Sequence, residues 1–176
     1  LRLYGNPIDS MPEQVSPGVM LEGLSLGSVD RTLSSLPELF AQAFPQLRTL
    51  RLWGRLEVLP ESFAKLQALE DLDLRANLLD DRIWPIISKL KALRELHIQE
   101  TRVTVIPDSI KELTRLKVLE VQKASLENLS GDLWTMPCLE VLDLSDSAIT
   151  SFPAPGQGLS RLKKLWLPRN RLKALP

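Results

Sequence analysis

The motif Leu-x-x-Leu-x-Leu recurs along this chain of 176 residues at an almost constant interval. Its copies, two of which end in Ile or Val, begin at Leu21, Leu47, Leu69, Leu93, Leu116, Leu139 and Leu162, and the gaps between them are 22 to 26 residues. The first six residues match the end of one further copy. A period in the twenties indicates a solenoid, in which each repeat buries its apolar residues only against its neighbours. The sequence therefore predicts a repeat array and not an ordinary globular domain.

The repeat that starts at Leu93 shows how the motif becomes a strand. Leu96 and Ile98 are two residues apart, so both side chains leave a strand on the same side, whereas His97 and Gln99 leave it on the other. We therefore predict a short strand in each repeat, with leucines facing inward and polar residues facing outward.

The second half of the same repeat predicts a different conformation. Apolar residues here are three or four apart, at Val103, Ile106, Ile110 and Leu113, which is the spacing of a turn followed by a short α-helical or 3₁₀ segment. Pro107 suits the start of such a segment, because its missing N–H would have no partner there. Each strand must lie beside its counterpart in the next repeat, which predicts a parallel sheet on the concave side of a curved coil and return segments on the convex side.

One position after each strand is expected to stabilise the turn. A small polar side chain there can hydrogen-bond the buried backbone, and the residues at this position are Asn6, Val29, Arg55, Asn77, Thr101, Ala124, Ser147 and Asn170. Val29 and Ala124 lack a side-chain donor or acceptor, so we expect backbone groups or water to satisfy their turns.

The pattern Leu-x-x-Leu-x-Leu-x-x-Asn-x-Leu-x-x-Leu-Pro-x-x-Ile-x-x-Leu resembles the leucine-rich repeat family over essentially the whole chain. The period of 23 is similar to the intracellular Ras-suppressor or Shoc-like subclass, which is also found in effectors of bacterial pathogens. This resemblance implies an α/β fold: a right-handed solenoid shaped like a horseshoe, with a concave parallel sheet of about eight strands and short 3₁₀ or helical convex segments. It also implies a protein partner on the concave sheet, without naming that partner.

Composition excludes several other classes of function. Lys and Arg together number 22, as do Asp and Glu, so the chain lacks the basic excess of a nucleic-acid binder. No apolar run is long enough to span a membrane. The single cysteine, Cys138, rules out an internal disulfide and favours a reducing, cytoplasmic location, or the host cytoplasm if the chain is a secreted effector. We expect a monomer.

The alignment of the repeats predicts which residues line the concave face. The outward column between the two inner leucines contains Arg2, Arg51, Asp73, His97, Glu120 and Trp166, and the column after it contains Tyr4, Trp53, Arg75, Gln99 and Gln122. Trp and Arg are enriched at interface hot spots, so we predict that these residues bind the partner, with Trp53 and Arg75 at the centre. Alternatively the charges are only solvated and pair loosely, or the convex face is the main site. We also expect Asp73 and His97 to form an ion pair.

Catalytic and metal-binding motifs are absent from the sequence. His97 is the only histidine and has no Ser or Cys nucleophile beside it in these columns, and one His with one Cys cannot form a zinc site. We therefore expect no enzyme activity, metal, cofactor or small-molecule substrate.

Two functions remain open for residues 1–176. The first is a protein-interaction module, such as a signalling or effector protein contains. The alternative is the substrate-recruiting domain of a larger enzyme, such as a ubiquitin ligase or another type III secreted effector. Because the sequence starts within a repeat and stops at Leu175-Pro176, we expect a single leucine-rich repeat domain that is a fragment of a longer protein.

Overall fold

The computed structural model describes residues 1–11, 20–27, 30, 32–151 and 159–173. Several residues of the repeat pattern lie outside these ranges, among them Val29, Pro12, Pro153, Pro176 and the segment 154–158. No helix in the described part of the chain has the length and apolar character needed to cross a membrane.

Seven short strands, one from each copy of the motif, form a single parallel sheet. In the order in which they lie side by side they are β1 (Gly23–Gly27), β2 (Thr49–Trp53), β3 (Asp71–Asp73), β4 (Glu95–His97), β6 (Val118–Glu120), β8 (Val141–Asp143) and β9 (Lys164–Trp166). Arg2 adds a one-residue parallel bridge to Ser25, where the partial first repeat would place an eighth strand. The predicted α/β solenoid is confirmed, with seven full strands in place of about eight.

The central leucine of each strand sets the register of this sheet. Leu50 pairs with Leu72, Leu72 with Leu96, and Leu96 with Leu119, and all four are completely buried. Burying a leucine side chain stabilises the fold by about 1.5 to 3 kcal/mol, and a shift of one residue would move the leucines of a strand into solvent. The leucine column therefore determines which residues face outward.

The return segments are short and only partly helical. They comprise 3₁₀ helices at Glu61–Lys65, Asp81–Ile83, Asp108–Glu112 and Gly131–Thr135, the helices α1 (Phe40–Ala43) and α2 (Trp84–Ile87), and a two-stranded sheet of β5 (Val105–Ile106) and β7 (Asn128–Leu129). Pro107 lies directly before the segment Asp108–Glu112, as the sequence predicts. Trp84 and Trp134 are buried in the core on this side, and Cys138 is half-buried.

A recurring turn follows each strand of the seven-stranded sheet from β3 onward. The residue before the predicted polar position has a positive φ at Ala76, Glu100, Lys123, Asp146 and Arg169, between 53° and 58°. This left-handed conformation costs a non-glycine residue about 1 kcal/mol, and the hydrogen bonds of the turn must offset that cost. At Asn77 the side chain contributes four such bonds, at Thr101 it contributes one, and at Ala124 it can contribute none.

Candidate functional site

The outward face of the seven-stranded sheet, here called the strand face, contains the predicted columns of side chains. The register pairs Ser25 with Arg51, Arg51 with Asp73, and Asp73 with His97. It then continues through Glu120 and Asp143 to Trp166. The strand face is thus geometrically continuous, and the assignment of its residues to partner binding stays a prediction.

An aromatic pair lies at the first end of the strand face. The rings of Tyr4 and Trp53 are tilted by 59° with centroids 6.2 Å apart, and Tyr4 is 54% exposed. Gly27 lies beside them with a φ of +132°, and any Cβ on it would fall 2.2 Å from the Trp53 carbonyl oxygen. A side chain at position 27 would therefore clash with the backbone of Trp53, so this edge of the aromatic pair requires glycine.

Arg75 is held as a rigid donor next to this pair. Its Nε lies 3.0 and 3.1 Å from the two carboxylate oxygens of Asp73, and its Nη2 lies 2.6 Å from Oδ2. The Asp73 side chain is only 2% exposed, whereas 48% of the Arg75 side chain is open to solvent. The hydrogen bond to Asp73 raises the pKa of Arg75, so the guanidinium stays charged. A fixed fork of this kind loses little entropy on binding.

His97 has different partners from those that the sequence predicts. Its Nδ1 lies 2.8 Å from Glu120 Oε2 and its Nε2 lies 3.6 Å from Glu95 Oε2. The predicted Asp73–His97 ion pair is wrong. The Asp73 carboxylate instead accepts hydrogen bonds from the guanidinium of Arg75, two residues further along the chain. Two donors thus share Glu120, since Gln99 also donates to its Oε2.

The far end of the strand face carries a second aromatic and a further set of charge pairs. Lys164 lies over the ring of Trp166 at 5.6 Å from its centroid, and Trp166 is 40% exposed. Arg169 forms a bidentate pair with Asp146, and this hydrogen bond lowers the pKa of the Asp146 carboxyl. Gln122 donates to Asp143 in the same region.

These last residues surround a shallow groove of about 460 Å³. Its lining residues are Glu120, Gln122, Asp143, Ser145, Asp146, Trp166, Pro168 and Arg169. Within this groove the carboxylates of Glu120, Asp143 and Asp146 are followed by the guanidinium of Arg169.

Some of the predicted site residues lie close together, but the full set extends across the whole sheet. Trp53 and Arg75 lie on or beside adjacent strands, but Trp166 is five strands away from Trp53 in the sheet. Five steps of about 4.8 Å place the two tryptophans roughly 24 Å apart. Arg2 and Tyr4, at the first edge, are both exposed. Only an extended partner can therefore contact both ends at once.

One cluster of possible metal ligands on this face was not predicted from the sequence. Asp71, Glu95 and His97 each offer a ligand atom, and the three atoms lie within 4.8 Å of one another. Asp71 and Glu95 are register partners on β3 and β4, and His97 follows Glu95 on the same face. The sequence does contain a signal for this cluster. The strand position two residues before Asp73 and His97 holds a carboxylate in two adjacent repeats, Asp71 and Glu95.

Comparison with known proteins finds similar chains but no matching protein-family model. In the structure of the leucine-rich repeat domain of the type III effector XopL, 62% of that chain superimposes on the whole of this one, with a TM-score of 0.81 and 27% identity. A putative disease resistance protein of Arabidopsis thaliana is 29% identical over 185 residues, or 88% of this chain. The plant intracellular Ras-group-related LRR protein 8 of Oryza sativa subsp. japonica is 29% identical over 116 residues, or 64% of this chain.

These relatives are longer than the chain described here. The matched region is 15% of the Arabidopsis thaliana protein and 31% of the Oryza sativa protein. The similarity therefore concerns their repeat regions.

Proposed function

Because this chain is a leucine-rich repeat protein, we propose that it is a protein-interaction module that binds a partner protein on the concave strand face. The observation that carries this proposal is the Tyr4–Trp53 pair next to the Arg75 fork. A large aromatic surface and a pre-organised guanidinium are the side chains that contribute most to interface energy, since both bind at a small cost in conformational entropy.

The shape and charge of the strand face support a protein partner over a small molecule. Its two aromatic ends are roughly 24 Å apart on the strand spacing, and the charge alternates between them, with the Arg75 fork at one end, Glu120 and Asp143 in the middle and Arg169 beyond. A partner with a complementary charge pattern would gain in specificity and in rate of encounter. The partner surface would be an extended segment or a flat face that carries basic groups opposite the acidic middle.

We expect Trp53→Ala and Arg75→Gln each to weaken partner binding by about 30-fold, which corresponds to a hot-spot loss of about 2 kcal/mol. Glutamine is preferred to alanine at position 75, because Asp73 is buried and an amide can still donate to its carboxylate. The matched control is Arg82→Gln on the return side. Arg82 also binds the Asp two residues before it with its guanidinium, and its side chain is 64% exposed.

The experiment is affinity capture with the wild-type chain and the three variants as baits, followed by calorimetric titration with the purified prey. The proposal requires a prey that wild type and Arg82→Gln retain and that Trp53→Ala and Arg75→Gln lose. A prey bound equally by all four baits would show that the strand face is not the site and would point to the return side.

A second candidate is the substrate-recruiting domain of a larger enzyme. The likeness to the leucine-rich repeat domain of a type III effector favours it. The reading frame on either side of residues 1–176 distinguishes the two: a neighbouring domain with catalytic signatures supports recruitment, and further repeats with caps alone would reject it. We also propose that the protein acts in the cytoplasm. The relative from Oryza sativa is named a plant intracellular protein, and this supports the proposal.

A further inference from the structure

We infer that the strand face has a site for a divalent transition-metal ion, with Asp71, Glu95 and His97 as its protein ligands. Their ligand atoms lie within 4.8 Å of one another. Imidazole nitrogen and carboxylate oxygen are both good ligands for Zn²⁺ and its neighbours in the first transition row. The site is separate from the Tyr4–Trp53 pair and does not depend on any partner protein.

The hydrogen bonding of His97 leaves one ring nitrogen available to a metal. A carboxylate only accepts hydrogen bonds, so the 2.8 Å contact between His97 Nδ1 and Glu120 Oε2 assigns the proton to Nδ1. In the neutral imidazole, Nε2 then carries a lone pair. A metal-bound histidine usually donates its other N–H to a carboxylate in this way, which fixes the orientation of the ring.

The group nearest to that lone pair is the Glu95 carboxylate, which is also a hydrogen-bond acceptor. His97 Nε2 lies 3.6 Å from Glu95 Oε2, which is too long for a normal hydrogen bond. A lone pair and a carboxylate that face each other need a cation between them. Two ligands of one tetrahedral zinc ion, each about 2.0 to 2.1 Å from the metal, are roughly 3.3 Å apart. A small movement of the Glu95 side chain brings its oxygen to that distance from Nε2, and the Asp71 ligand atom, which lies within 4.8 Å of the other two, must also move closer.

Asp71 completes the set from the adjacent strand. Its Oδ2 accepts from Arg51 at 3.1 Å, but its Oδ1 is closed to solvent and has no hydrogen-bond partner within the described part of the chain. A buried carboxylate oxygen without a donor costs free energy, and a bound cation would remove that cost. With three protein ligands, a tetrahedral ion keeps one coordination position open on the strand face.

Two further residues act as positioning residues. Glu120 orients His97, and Gln99, which is 7% exposed, donates to the same Glu120 oxygen. Both belong to the columns predicted to bind a partner protein. In this arrangement they orient His97 whether or not a partner is bound. Neither residue contacts the metal in this arrangement.

The test is calorimetric titration of the chelator-treated protein with ZnCl₂, together with the visible absorption of bound Co²⁺. We expect one equivalent of metal to bind, more than 100-fold weaker binding in His97→Gln and Asp71→Asn, and a loss of 10- to 100-fold in Glu120→Gln. Loss of the tetrahedral Co²⁺ absorption in His97→Gln would show that the ring itself is a ligand.

The matched control is Asp146→Asn, which removes one negative charge from the same face outside the cluster and should bind zinc as the wild type does. Binding that is equally strong in His97→Gln, or no stoichiometric binding to the wild type, would overturn the site. Because no partner protein enters this titration, its result is independent of the capture experiment.

Discussion

Asn77→Ala is expected to lower the free energy of unfolding by about 4 kcal/mol, because it leaves several buried backbone groups without a partner. The Asn77 side chain is 1% exposed. Its Oδ1 accepts from the Leu56 N–H at 3.0 Å, and its Nδ2 donates to the carbonyl oxygens of Leu52 and Leu74 at 2.8 Å each. Leu52 and Leu56 belong to the preceding repeat, so the amide joins two repeats. Urea denaturation followed by circular dichroism measures the loss.

The chain contains two matched controls for this substitution. Asn170 makes the same set of bonds, to Leu144, Leu167 and Ile149, but in a partly exposed turn where water can replace the amide. Asn6 is exposed and makes one bond, to the Leu3 carbonyl oxygen at 3.1 Å. We expect Asn170→Ala to cost about half as much as Asn77→Ala, and Asn6→Ala less than about 1 kcal/mol. Equal losses at all three positions would mean that burial is not the reason for the effect.

Gly54→Ala is the second substitution with a large expected effect, a loss of at least about 3 kcal/mol in the free energy of unfolding. A Cβ at this position would lie 2.2 Å from the Leu33 carbonyl oxygen and 2.9 Å from the Leu33 Cβ. Leu33 is completely buried, and its carbonyl oxygen accepts from the Arg55 N–H at 2.7 Å. The backbone on both sides would therefore have to move and break that bond.

Gly23→Ala is the control for this steric argument. Gly23 starts β1, and a Cβ there would have no heavy atom within 4 Å. Because alanine costs less backbone entropy than glycine in a strand, we expect Gly23→Ala to stay within about 0.5 kcal/mol of wild type or to be slightly more stable. If Gly54→Ala unfolds at the same urea concentration as Gly23→Ala, the segment around Leu33 does not pack against the turn after β2 as described.

The strand face was largely predictable because strands have a period of two. Once Leu50, Leu72 and Leu96 are recognised as buried, Arg51, Asp73 and His97 must face outward in one column, and the register agrees. The turn residues were predictable for a similar reason, since a polar side chain at a fixed offset from the strand can reach only the backbone of its own turn and of the one before.

The pairing of charges within that face was not predictable. Three carboxylates, those of Asp73, Glu95 and Glu120, lie near His97, and which one binds it depends on competition with Arg75 and on rotamers that a repeat pattern does not specify. The ligand cluster was missed for the same reason, because Asp71 and His97 belong to different columns and different repeats.

The sequence by itself determined the solenoid, the parallel sheet and the outward columns, because these follow from the spacing of apolar residues and from the need to bury them. Only the tertiary structure decided that Asp73 binds Arg75, that Glu120 binds His97, and that Gly54 lies against Leu33. Such contacts depend on distances of a few ångströms between residues that are 2 to 23 positions apart, and side chains of the same type could have satisfied the same pattern with other partners.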